Sequence, residues 1–378
     1  MSNLLVKCIK GRHTRGGLKA IGKPCRYIQQ AAGLEPFRIL FLGRDEFSCI
    51  VLEELHNAKD VWQELAIVTT RDEKVGRRGS QLSVSPLKTL AQSIDLPVHT
   101  IPRRKTDFRY WRPPPPFLDP HPSHVILTAS FGRILSKRLL QYFDPPRRLN
   151  VHPSLLPLYR GPAPIQHTLL DNRRETGVCI IQMEQLSKGI DTGGIWGWRR
   201  FPVPEDATFA TLRDAAGREG GQLLVTVLRD MLAGKATQVP QTSLGLAESV
   251  SHAPMITLED AIVDFSVSAA DIVRRHRAIS HQKTLTTFLP TSKTLQLHTP
   301  FVYTSDASSL PRVLGAAIYD GETGSLLIRC AGDTVLSVPK VKQQDRAMLD
   351  AKNWWNGWKS HCGKDWQGFV VFSRSQSE

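Results

Sequence analysis

The chain has 378 residues, 41% hydrophobic and 22% charged, a mix that builds about two globular domains and excludes a collagen-like or low-complexity chain. No apolar run reaches the roughly 18 residues of a membrane helix, and the 6 cysteines lack Cys-x-x-Cys spacing, which argues against a zinc site and for free thiols in a reducing compartment. A net charge of +14 calls for a polyanionic partner, a basic targeting segment, or both.

Residues 1–36 carry Lys7, Lys10, Arg12, Arg15, Lys19, Lys23 and Arg26, with Glu35 as the only acid. This is the composition of a mitochondrial transit peptide; a basic arm touching nucleic acid is the alternative. The rest of the chain is also basic, so charge belongs to the folded part too. Phe37–Gly43 reads as a buried strand turning at glycine, and Phe47–His56 as the helix that crosses back. A Gly-x-Gly-x-x-Gly fingerprint is missing, so a dinucleotide cofactor is not supported. Leu65–Thr70 is a second strand, followed by a basic, glycine-punctuated loop, Arg71–Ser80, that contains Lys74, Arg77 and Arg78. Residues 104–122, with Trp111-Arg-Pro-Pro-Pro-Pro116, are too stiff and too poor in donors for a sheet and read as a surface insertion.

Val125–Thr128 is a buried strand, and Leu149–His152 reads as the tip of the next one in the same sheet. Side chains two apart in an extended segment share a face, which pairs the carboxamide of Asn150 with the imidazole of His152. The pair could serve acid–base work and hold an oxyanion. Pro153, Pro157, Pro162 and Pro164 then fix φ repeatedly, making a rigid loop with Ser154, Leu155 and Leu156 beside the pair, where ligand crevices of open α/β sheets form. Gly177–Met183 is a strand, and beyond it Asp191 sits on a glycine-flanked turn. Its carboxylate, returning towards the imidazole, would orient the ring and favour its protonated form. Taken singly, each of these residues could be a turn former or a core group.

Phe201–Glu205 has strand character, Thr208–Leu232 has helical spacing, and residues 235–252 are polar and small, as in a linker. From Ala253 onward a leading helix and short strands, with turns at Asp320-Gly321 and Ala331-Gly-Asp333, suggest a small β-barrel. Arg274, Arg275 and Arg277 share one helical stretch. Lys340, Lys342, Arg346, Lys352 and Lys359 crowd the end, interleaved with Trp354, Trp355 and Trp358. The cluster reads either as a solvated rim over inward tryptophans or as a phosphate grip, since phosphate contacts supply affinity without reading sequence.

Asn150-Val-His152-Pro-Ser154-Leu-Leu-Pro157, Arg160-Gly161 and then Gly189-Ile-Asp191-Thr-Gly193 together resemble the signature of the folate-dependent formyltransferases. Gly76-Arg77-Arg78-Gly79, Ser85-Pro-Leu-Lys88, Asp95-Leu-Pro-Val98 and the stretch from Ala253 resemble the methionyl-tRNA formyltransferase family within it. The resemblance implies an α/β fold: a Rossmann-like domain with a central, mostly parallel sheet (37–234), a linker (235–252) and a smaller OB-like β-barrel for tRNA (253–378). It implies 10-formyltetrahydrofolate as co-substrate and methionyl-tRNA as acceptor, and with the basic N-terminus this points to organellar translation initiation; nothing in the sequence calls for a metal, and a monomer is the default expectation. Asn150, His152 and Asp191 would be catalytic. Ser154, Leu155, Leu156 and Pro157 would contact the folate, as would Phe131 and Gly132 in a turn that lines the family's pterin pocket. Lys74, Arg77, Arg78, Arg274, Arg275, Lys340 and Lys342 would hold the tRNA, Arg77 standing where the family carries a discriminating arginine. Glu184–Lys188 lengthens the loop before Asp191, and Gly194 replaces a frequent second Asp. The same residues leave open a formyltetrahydrofolate hydrolase, a transferase for another amine, or a non-catalytic RNA-binding relative.

Overall fold

A computed structural model describes residues 35–244, 250–363 and 367–374, so the expected transit peptide lies almost wholly outside the described residues. The first half is one seven-stranded sheet. Its strands are β1 (Phe37–Leu42), β2 (Trp62–Thr69), β5 (Val98–Thr100), β6 (His124–Ala129), β7 (Arg148–His152), β8 (Glu175–Gln182) and β9 (Ile195–Pro202). They lie side by side in the order β5-β2-β1-β6-β7-β8-β9. The first five of these are parallel, β8 runs antiparallel to β7, and β9 runs antiparallel to β8, as expected of a mostly parallel sheet. Near-continuous apolar runs such as Phe-Arg-Ile-Leu-Phe-Leu in β1 bury both faces, the pattern of strands covered on two sides.

One face is covered by α1 (Glu46–Asn57), α2 (Pro86–Ser93) and α6 (Phe209–Leu232). Asp45 caps α1 by accepting from the Ser48 amide, and Thr208 and Thr211 close a reciprocal cap on α6. The other face holds α4 (Lys137–Leu140) and the proline-rich stretch. That stretch is more than the surface insertion expected of it: it forms a turn of helix, α3 (Lys105–Phe108), and buries Phe108 and Phe117 against β1 and β6. Two aromatic rings anchor a backbone too poor in donors to join the sheet. Residues 201–205 likewise close a longer strand, because β9 begins at Ile195.

Between β2 and α2 the basic loop folds as a ribbon, β3 (Glu73–Val75) against β4 (Gln81–Ser83), turning through Gly76–Gly79. Parallel neighbours β1 and β6 connect in opposite directions, which makes their carboxyl ends the topological switch point where open sheets bind ligands.

The second half starts with α5 (Pro164–Leu170) as its neighbour and α7 (Ala269–Ile279) as its leading helix. Two antiparallel sheets follow. One is β10 (Thr286–Phe288), β11 (Thr294–His298), β16 (Lys340–Gln343) and β17 (Met348–Asp350); the other is β12 (Phe301–Tyr303), β15 (Val335–Val338), β14 (Ser325–Arg329), β13 (Ala316–Asp320) and β18 (Val370–Val371). Phe288 bridges to Ser373 just beyond β18, and β15 runs into β16 through Pro339, so the sheets join as a barrel. α8 (Ala351–Cys362) buries Trp354, Trp355 and Trp358 in its core. The tryptophans therefore serve packing, while Lys340 and Lys342 alternate outward on β16. The linker stretch docks in part: Val239 pairs with Ile195, and residues 245–249 lie outside the described residues.

Candidate active site

Asn150 and His152 stand two residues apart on β7, with Thr128 of β6 directly across from Asn150. The Thr128 hydroxyl donates to Asn150 Oδ1 at 2.7 Å. Among the described residues the carboxamide Nδ2 has no partner, so the free end of Asn150 is its two-donor end. The register of two parallel strands supplies this orienting group, which sequence reasoning missed.

His152 is only 4% exposed. Its Nε2 lies 3.0 Å from the backbone oxygen of Tyr159, which can only accept, so this nitrogen carries a proton. Its Nδ1 faces Asp191 Oδ2 at 3.6 Å, an ionic contact longer than a hydrogen bond. The expected pairing of imidazole and carboxylate is present, but the Tyr159 carbonyl, rather than Asp191, holds the ring.

Asp191 sits at φ +54, a left-handed conformation that Asp tolerates better than most residues. Its Oδ2 accepts from the Gly161 amide at 3.0 Å. Gly161 lies at φ +119, and a Cβ there would stand 2.9 Å from the Ala253 carbonyl, which explains the glycine of Arg160-Gly161. From 50 residues downstream, Gln241 Nε2 donates to the carbonyls of Asp191 (2.6 Å) and Gly193 (2.9 Å), while its Oε1 accepts from the Arg160 guanidinium. Burial pulls the Arg160 pKa down, and the nearby Asp191 charge opposes that shift. Gln241 and Arg160 were not among the expected site residues; nothing local in the sequence connects positions so far apart.

The expected folate contacts divide. Ser154 is fully buried and closes the loop on itself, its hydroxyl donating to the Leu158 carbonyl at 2.7 Å. Leu156 packs with Cys179, Ile181 and Ile195 in the core, Leu155 is 7% exposed, and Pro157 is half-buried. Cys179, opposite His152 on β8, is buried, and its thiol is pushed up to about 12, so it is no nucleophile. The Phe131 ring is turned into the core against Phe108, 5.8 Å between centroids, which leaves the main chain of Phe131 and Gly132 (φ +73) as the part of that turn a ligand can use. Beside it Ser130 hydrogen-bonds to Asp45, whose carboxyl is raised above its usual range by burial.

Lys74 and Arg78 are exposed on the β3–β4 ribbon, and the side chain of Arg77 lies outside what is described. Arg275 donates to the Asp260 carbonyl at 2.9 Å. Arg274 donates to the Leu170 carbonyl and pairs with Asp271 at 2.6 Å. No group of His, Cys, Asp or Glu that could hold a metal occurs among the described residues.

The formyl transferase family pattern matches residues 37–228, and its C-terminal domain pattern matches residues 255–359. A methionyl-tRNA formyltransferase of Syntrophus aciditrophicus is 33% identical over 332 residues, covering 86% of this chain and 97% of the relative. One from Janthinobacterium sp. is 31% identical over 327 residues, covering 85% and 97%. Among solved structures, the sugar 3N-formyltransferase WlaRD, crystallised with dTDP and 5-N-formyl-THF, superposes with a TM-score of 0.54 at 15% identity, covering 82% of this chain and 99% of that one. An N-formyltransferase from Helicobacter canadensis gives 0.53 at 16% identity, covering 80% and 98%.

Proposed function

The chain belongs to the formyltransferase family and is a formyl-transferring enzyme, and from that premise we propose that it moves the formyl group of 10-formyltetrahydrofolate to the α-amine of methionyl-tRNA for translation initiation in an organelle. The observation that carries the reading is the free Asn150 amide beside the His152–Asp191 contact at the carboxyl end of β7. The methionyl-tRNA formyltransferases aligned over most of the chain support the acceptor. The acid-poor, basic composition of residues 1–36 supports the organellar site of action.

The neutral amine attacks the formyl carbon, and its new C–N bond leaves a tetrahedral intermediate with a negative oxygen. Asn150 Nδ2 donates to that oxygen. Collapse breaks the bond from carbon to the folate N10, the nitrogen takes a proton, and the amine loses one. His152 relays this proton through Nδ1, the edge that no hydrogen bond occupies, while Asp191 stabilises the charged ring. The 3.6 Å separation leaves that edge available to a substrate. Gly161 and Gln241 hold the Asp191 turn in place.

The test is transfer of labelled formyl from 10-formyltetrahydrofolate to methionyl-tRNA by wild type and by His152→Ala, both lacking residues 1–36. Formyl-methionyl-tRNA from wild type alone is the expected result. Folate turnover without product would point to a hydrolase, and tRNA binding without either reaction to a non-catalytic relative. Matrix import of a fusion carrying residues 1–36 checks the destination, and its exclusion would remove the organellar part.

A further inference from the structure

Beside the loop that holds His152 lies a cleft of about 230 Å³, lined by Leu155, Leu158, Tyr159, Arg173, Arg174 and Arg200, with Glu175 and Thr176 at the start of β8. A second depression shares Arg173 and Arg174 and continues across Pro204 and Glu205 to Arg274 and Arg277 of α7. The two form one groove that leads from the barrel's first helix to the loop whose Tyr159 carbonyl grips the imidazole.

Five arginines line this groove, and two of them stand out. Arg174 is exposed, and its guanidinium has no ion pair or hydrogen bond among the described residues. Arg277 has a buried Nε with no hydrogen-bond partner. The other three are engaged: Arg173 donates to the Tyr159 hydroxyl, Arg200 pairs with Glu175 at 3.0 Å, and Arg274 pairs with Asp271. An unpaired buried donor is costly, and a guanidinium fork suits phosphate oxygens. The leucines and tyrosine at the catalytic end give the cleft an apolar lining that a bare anion would not use.

We propose that this groove seats the single-stranded end of an RNA acceptor, Arg174 and Arg277 holding backbone phosphates and the Leu155–Leu158–Tyr159 cleft holding a nucleotide. The proposal rests on methionyl-tRNA being the acceptor, and it places the RNA end beside the loop that holds His152. Neither Arg174 nor Arg277 belongs to the catalytic machinery described above.

The experiment compares full-length wild type, Arg174→Glu and Arg277→Gln in two assays: formyl transfer to methionyl-tRNA, and binding of a short single-stranded RNA ending in CCA over a salt series. The expected result for each variant is a KM for methionyl-tRNA raised about tenfold with kcat within about twofold of wild type. The expected salt slope of oligonucleotide binding is shallower by about 0.7 for each phosphate that the variant no longer neutralises. Arg174→Lys should restore most of the affinity, which a folding defect would not allow. Unchanged KM and slope in both variants overturn the proposal. So does displacement of the oligonucleotide by inorganic phosphate at matched ionic strength, which would mark an anion site only. If wild type makes no formyl-methionyl-tRNA, the acceptor assignment fails by itself, and the oligonucleotide arm still decides whether the groove takes RNA.

Discussion

A carboxamide helps an oxyanion only through its NH2 end, and at Asn150 Thr128 decides which end is free by donating to Oδ1. Asn150→Ala should lower turnover by about 10²–10³-fold, the cost of losing one aimed donor. Thr128→Val should cost less, about tenfold, because the amide remains but can rotate. The two effects should not add: in the double variant, single-turnover rates should match those of Asn150→Ala alone. Full additivity would mean that Thr128 acts independently of the carboxamide. At this scale the sequence was partly legible. Alternation along an extended strand put Asn150 and His152 on one face, and the motif around Asp191 marked the carboxylate. The Tyr159 carbonyl was invisible because main-chain acceptors leave no residue-type signal, and Gln241 because 50 residues separate it from the turn it holds.

At the scale of elements, the proline-rich stretch shows why composition misleads when a few side chains dominate. Its prolines exclude a strand, yet Phe117 is fully buried, edge-on to His124 at 5.1 Å and 5.9 Å from Phe143. Phe117→Ala should destabilise the protein by about 3–5 kcal/mol, read from the urea midpoint at constant slope. A change below about 0.5 kcal/mol would return the stretch to the status of a surface appendage. The same layer is sensitive to acid. Burial, with His121 and Arg38 nearby, lowers the His124 pKa from its ordinary 6.5, so the unfolded chain takes up the proton first. Stability from the neutral ring is thus complete above about pH 6.5 and is lost as pH falls through that value towards the folded pKa. His124→Leu should flatten the difference in urea midpoint between pH 7.5 and 5.5; an unaltered difference would place the sensitivity elsewhere. The first half of β9 escaped sequence reading for a related reason. Trp196-Gly-Trp-Arg-Arg200 lies on the sheet edge, half exposed, and edge strands need not show the apolar alternation of inner ones.

At the scale of the whole molecule, the boundary between the two halves is not where the hydrophobic core ends. Ala163 at the N-cap of α5, and Ile165 and Leu169 within that helix, which follows the catalytic loop, share a core with Ile272, Ala278 and Ile279 of α7 and with the barrel's Leu326, Leu336 and Trp354. Phe209, opening α6, stacks on His281 at 3.6 Å and 6°, a second tie across the same seam. The chain before Leu170 therefore contributes to the core of a domain whose strands begin more than a hundred residues later. The linker composition of residues 235–252 gave no hint of this, because the apolar residues of the shared core lie outside it. Leu169, 5% exposed at the centre of the seam, is the residue whose truncation should be felt by both halves. Leu169→Ala should cost about 2–5 kcal/mol, with formyl-transfer activity and native tryptophan fluorescence disappearing together in a single thermal transition. Two separated transitions, with the barrel's tryptophans melting apart from activity, would show that the seam is a contact between independent domains. A single transition would mean that a groove crossing the seam, such as the one from Arg277 to Tyr159, has walls that hold their spacing without a bound ligand.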